Sequence, residues 1–90
     1  MKNWAKEIQV IGPTIDTVLW TIAEIQRLNI PVKSIAKTMA RGECRVLHSY
    51  KRKKTELVLC RLDHSTYVIQ SIDHSKKESQ KNTLLYLTFK

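Results

Sequence analysis

His48, Glu56 and Gln70 are the side chains of this chain best suited to moving protons at a phosphate. RNA is cleaved without a metal when its own 2′-hydroxyl attacks the adjacent phosphorus. That step wants a base at the 2′-oxygen, an acid at the departing 5′-oxygen and cations on the phosphate. In this scheme Glu56 is the base, His48 the acid and Gln70 a hydrogen-bond donor. Arg61, Arg45 and Lys54 would hold the charged phosphorane. The same His48 and Glu56 also read as an ordinary cross-strand pair at a sheet end, worth about 0.2–1 kcal/mol.

The histidine opens the stretch HSYKRKKTE, residues 48–56, in which Lys51, Arg52, Lys53 and Lys54 follow Tyr50 without a break. A basic hairpin tip beside an aromatic can grip phosphates while a base stacks on the ring. It can equally be a solvated turn that protects a sheet edge. Arg45, Tyr50, Lys51, Arg52, Lys53, Lys54 and Tyr67 are the RNA-binding candidates. The formal net charge of +8 in 90 residues favours a polyanionic partner, with nucleic acid first.

Other chemistries have less to stand on. Cys44, Cys60, His64 and His74 show no C-x-x-C or H-x-x-x-H spacing, so no metal is expected. G-x-x-x-x-G-K and G-x-S-x-G are absent, which leaves nucleoside triphosphate and serine hydrolysis unsupported and implies no cofactor. No apolar run reaches the ~20 residues of a membrane span, and the first residues lack the apolar core of a secretory signal. The expectation is a cytoplasmic protein that keeps Cys44 and Cys60 as buried thiols; a disulfide would need an oxidising compartment.

The elements that would position these residues follow from periodicity. The chain reads as a single domain over 1–90, with a helix or extension over 1–13, a helical pair over 14–42 and an antiparallel sheet over 43–90. Trp4, Ile8 and Ile11 are spaced for a short helix that Gly12-Pro13 stops. Thr14 or Asp16 caps a second helix, on which Ile15, Val18, Leu19, Ile22 and Ile25 form a stripe, and Asn29 is its left-handed stop. Pro31 starts a third, with Val32, Ile35, Ala36 and Met39 apolar and Gly42 at its end. The period then drops to two over 44–50, 56–62, 66–72 and 83–89. The expected fold is α+β, two or three N-terminal helices on a four-stranded antiparallel sheet, α-α-β-β-β-β.

A first hairpin turning near Arg52 sets Cys44 opposite Cys60, Val46 opposite Val58 and His48 opposite Glu56. A second turning near His64 sets Val68 beside Cys60, Gln70 beside Val58 and Ile72 beside Glu56. Alternation then gives the helices a face of Cys44, Val46, Val58, Cys60, Leu62, Val68 and Ile72, joined by Leu85, Leu87 and Phe89. Arg45, Arg61, Tyr67 and Tyr86 fall on the opposite face, around Leu47, Leu57, Leu59 and Ile69.

The stretch WTIAEIQRLNIPVKSIAKTMARGECRVLHSYKRKKTELVLCRLDHSTYVIQSI resembles the small RelE-like domains grouped with barnase and colicin-type ribonucleases. Ile30, Gly42, ELVLCRL, YVIQSI and the final TLLYLTFK stand at that family's turn, helix end and strands. The resemblance spans residues 15–90. It implies a metal-independent endoribonuclease of toxin type, acting on RNA, with an acidic antitoxin or immunity protein as a second partner. Many such sequences carry a His near the start of the first family helix, where this chain has Trp20. Two other readings stand beside this one. SIAKTMARGECRV also resembles a helix-turn-helix, with residues 43–52 as a DNA-recognition helix and the next two strands as a wing. The third reading is a non-catalytic adaptor or inhibitor that binds protein.

Overall fold

The computed structural model describes residues 8–89. Helix α1 (Ile15–Arg27) begins where Thr14, in extended conformation, accepts the N–H of Thr17 on its hydroxyl at 3.1 Å. This satisfies one of the free donors of the first turn. Thr21, Ile22 and Ile25 are its buried stripe. Asn29, at φ 54°, takes the left-handed conformation that follows the helix end. Helix α2 (Val32–Lys37) follows Pro31 and buries Val32 and Ala36. It stops at Thr38, short of Gly42. Gly42, at φ 81°, instead turns the chain into the sheet and donates its N–H to the Arg61 carbonyl at 2.9 Å.

The sheet has five antiparallel strands, β1 (Ile8–Ile11), β2 (Cys44–Tyr50), β3 (Thr55–Arg61), β4 (Thr66–Asp73) and β5 (Gln80–Phe89), in the order β1-β5-β4-β3-β2. The fold is α+β, but with two helices and five strands it corrects the four-stranded α-α-β-β-β-β expectation. The helix expected over 3–11 lies partly on residues 3–7, outside the described ones; Ile8–Ile11 is a strand. Its β-branched residues suit a pleated edge. Val10 pairs with Leu87 and Ile8 with Phe89, so Ile8 and Val10 pack toward the core at period two. Gly12 makes the corner into α1. A Cβ there would lie 2.2 Å from Cγ2 of Val18, so no larger residue fits without movement.

The helices pack on the face carrying Leu57, Leu59, Tyr67, Ile69, Leu85 and Leu87, which closes a core with Ile22, Ile25, Val32, Ala36 and Met39. The face assignment from alternation is therefore reversed for the first three long strands. Both faces of β3 are apolar, so period two alone cannot choose between them. Polar groups settle it. The Tyr67 hydroxyl donates to the Ala36 carbonyl at 3.0 Å, and Arg61 donates to the Met39 carbonyl. Arg45 donates to the Thr38 carbonyl at 3.1 Å. These carbonyls lie at the end of α2 and just after it, where helical donors run out; Ala36 also accepts the Met39 N–H at 3.2 Å. Val58, Cys60 and Val68 form a smaller cluster on the other face, beside Ile72, with neither helix over it.

Candidate nucleic-acid interface

A β-bulge decides which residues meet. Cys44 lies opposite Cys60 and Val46 opposite Val58, as the hairpin count expects. The register then shifts between Val46 and His48, which sets His48 opposite Leu57 and Ser49 opposite Glu56. One extra residue in a strand moves everything beyond it to the other face. His48 thus lies on the helix side of the sheet. Glu56 and Gln70 lie on the other side, opposite Ile72 and Val58. The structure does not bring His48, Glu56 and Gln70 together.

His48 has different company. Its ring meets the Tyr50 ring edge-on, with centroids 4.6 Å apart. The Tyr50 hydroxyl donates to Oε2 of Glu24 at 2.6 Å, and Arg27 donates to both Glu24 oxygens at 2.9 and 2.8 Å. The Arg27 bonds, and after them the Tyr50 bond, lower the Glu24 pKa to about 2. Burial, and then the bond to Glu24, raise the Tyr50 phenol to about 12. Glu24 is therefore an ionised anchor and a poor proton acceptor near neutrality. His48, Tyr50, Glu24 and Arg27 form one cluster at the root of the basic hairpin.

Glu56 pairs instead with His74. Its Oε1 is 2.7 Å from Nε2 of His74, and Nδ1 of His74 is 2.8 Å from the Ser79 hydroxyl. The backbone N–H of His74 donates to the Lys54 carbonyl at 2.8 Å. Thr55 lies opposite Asp73, so the hairpin tip and the β4–β5 loop emerge from the same end of the sheet. Lys51, Arg52, Lys53 and Lys54 on the tip are joined there by Lys76 and Lys77 on the loop; all six are exposed. Lys54 adopts φ 53° at the base of the tip.

Arg61, Arg45 and Tyr67 make bonds within the fold. Arg61 donates to the carbonyls of Met39, Asp63 and His64 at 2.5, 3.0 and 2.8 Å, and its guanidinium sits 5.6 Å from the Tyr67 ring centre. Arg45 binds Glu43, the Thr38 hydroxyl and the Thr38 carbonyl. Tyr67 is buried, so no base can stack on it from solvent. Cys44 and Cys60 form a disulfide, not two buried thiols, and Cys44 is exposed. Direct opposition on neighbouring strands places the sulfurs together, and oxidising compartments favour this form. Among the described residues no helix is long and apolar enough to cross a membrane.

No protein-family model, curated protein or solved structure matches this chain. Residues 44–50 are strand β2, which removes the recognition helix that the helix-turn-helix reading places over 43–52.

The expectations from sequence omit Glu24, Arg27, Lys76 and Lys77 and weigh His74 only as a metal ligand. Two signals for them exist in the sequence. Glu24 and Arg27 are three apart on one helical turn, a spacing at which opposite charges meet. Extending the Ile72–Glu56 pairing toward the turn brings residue 74 beside residue 54.

Proposed function

We propose that this protein binds single-stranded RNA through the basic end of its sheet. The observation that carries the proposal is the joining of two loops, remote in sequence, into one patch with Lys51, Arg52, Lys53, Lys54, Lys76 and Lys77. Such a patch gains affinity by releasing counterions from the phosphate backbone. The outward face of α1, with Asp16, Leu19, Trp20, Ala23 and Gln26, offers a major groove little positive charge.

A second reading, metal-independent cleavage of the bound RNA, is favoured by the cluster at the root of the same hairpin. Here His48 is the acid–base side chain, and Arg27, held by Glu24, stands near it as a cation. The 2′-oxygen bonds to phosphorus as it loses its proton. The bond to the 5′-oxygen breaks and that oxygen gains a proton, leaving a 2′,3′-cyclic phosphate and a 5′-hydroxyl. The test is end-labelled single-stranded RNA incubated with the protein in excess chelator, with binding measured in parallel. Discrete cuts ending in cyclic phosphate support the enzyme. Retained but intact RNA supports binding alone, and absence of binding at low salt removes both readings.

A further inference from the structure

At the opposite end of the sheet a cleft of about 310 Å³ opens between α2, the β3–β4 turn and the end of β5. Its walls are fixed by bonds internal to the protein. The Tyr67 hydroxyl holds the Ala36 carbonyl, and the Phe89 N–H donates to the Ser65 carbonyl at 3.1 Å. Arg61 ties the carbonyl of His64 to that of Met39. The Tyr67 and Phe89 rings meet edge to face, with centroids 5.1 Å apart, and form an aromatic wall.

The polar groups on the rim are arranged differently. Lys37, His64 and Ser65 line the cleft, yet their side chains make no hydrogen bond or ion pair among the described residues. Lys37 is exposed at the rim. A rigid, partly aromatic hollow with a few convergent, unused polar groups is the usual form of a small-molecule site. Its volume lies at the lower end of the ~300–1,000 Å³ typical of such sites, room for about one nucleotide.

We propose that this cleft binds a nucleoside monophosphate, its base against Phe89 and its phosphate on Lys37, His64 and Ser65. Planar bases stack on aromatic rings, and an ammonium, an imidazole and a hydroxyl together suit a phosphomonoester. The same chemistry is presented by a free mononucleotide and by the 5′-phosphorylated end of an RNA strand.

The experiment is a titration of the isotope-labelled full chain, followed by amide chemical shifts. The probes are adenosine 5′-monophosphate, adenosine and inorganic phosphate. Saturable shifts at Lys37, His64, Ser65 and Phe89 are expected, with the monophosphate binding at least about tenfold more tightly than either half. Lys37→Ala and Phe89→Leu should each weaken it by about tenfold, the second by removing the ring while keeping an apolar side chain. A short 5′-phosphorylated RNA that displaces the monophosphate, where its 5′-hydroxyl counterpart does not, identifies a strand end as the source. No displacement identifies the free nucleotide. Shifts that do not saturate, that fall chiefly on residues 51–54, or that phosphate alone reproduces would overturn the proposal.

Discussion

The backbone N–H of His74 donates to the carbonyl of Lys54 at 2.8 Å, and this bond joins the two basic loops of the molecule. The joined patch makes the salt dependence of RNA binding a direct measure of both loops. Each phosphate contact on a single strand contributes about 0.7 to the slope of log affinity against log salt. Replacing Lys51, Arg52 and Lys53 together by Ala should flatten that slope by about 2, and replacing Lys76 and Lys77 should flatten it by about 1.4. Equal slopes for wild type and the Lys76/Lys77 variant would confine the interface to the hairpin tip.

His48 and Glu56 stand on opposite faces of the sheet, so their substitutions should part company. If RNA is cleaved, His48→Ala should slow turnover by about 10²–10⁴-fold, the usual share of an acid–base group. Glu56→Gln should leave the rate within a few-fold, since its partner is His74. Single-turnover cleavage of one labelled RNA distinguishes the two. A larger loss from Glu56→Gln would return the chemistry to the outer face.

The Glu24 pKa is lowered to about 2 in the folded chain, from an ordinary value of 4.5. A depressed carboxylate stabilises the fold above its unfolded pKa, and the contribution is lost as pH falls toward the folded value. Wild type should therefore lose stability between about pH 4.5 and about pH 2, more steeply than Glu24→Gln. Tyr50, raised to about 12, follows the opposite sign. Its contribution is complete below about pH 10 and lost as pH rises through about 12. Denaturant midpoints across the acid range and ultraviolet titration of the tyrosines check the two halves. Identical acid profiles for wild type and Glu24→Gln would count against the Arg27–Glu24–Tyr50 network.

Arg61 should matter to folding first. Arg61→Ala removes donors to three carbonyls and should cost about 2 kcal/mol or more, because bonds from a charged group contribute about 1.5–3 kcal/mol each. Tyr67→Phe removes one buried bond and should cost about 1 kcal/mol. Urea melts of the two variants measure both. A wild-type midpoint for Arg61→Ala would free that side chain for a role at a ligand.

Much of the framework was legible in the sequence. Thr14 caps α1 and Asn29 follows its end in the left-handed conformation, because each depends on a local backbone requirement that few residues meet. The β3–β4 register was legible too, since a short turn leaves little freedom in pairing. The bulge at Leu47 was not, because VLHS contains no glycine or other mark of an inserted residue. That one residue separated His48 from Glu56 and dissolved the expected catalytic set. The choice of sheet face failed for another reason. ELVLCRL is apolar on both sides, and the decision rests with Arg45, Arg61 and Tyr67, whose partners lie on α2 and the turn after it. Strand β1 is four residues long, and its pairing with β5 cannot be seen in so short a stretch.

The Cys44–Cys60 disulfide closes a loop that contains the whole basic hairpin. A tip rich in lysine and arginine is also an inviting place for a trypsin-like protease to cut. A cut within residues 51–54 would sever the chain but leave its two fragments covalently attached, with β2 still bonded along β3. Such a nicked molecule would migrate as a single species without reductant and as two fragments with it. The crosslink therefore protects the integrity of the sheet at the segment most open to attack.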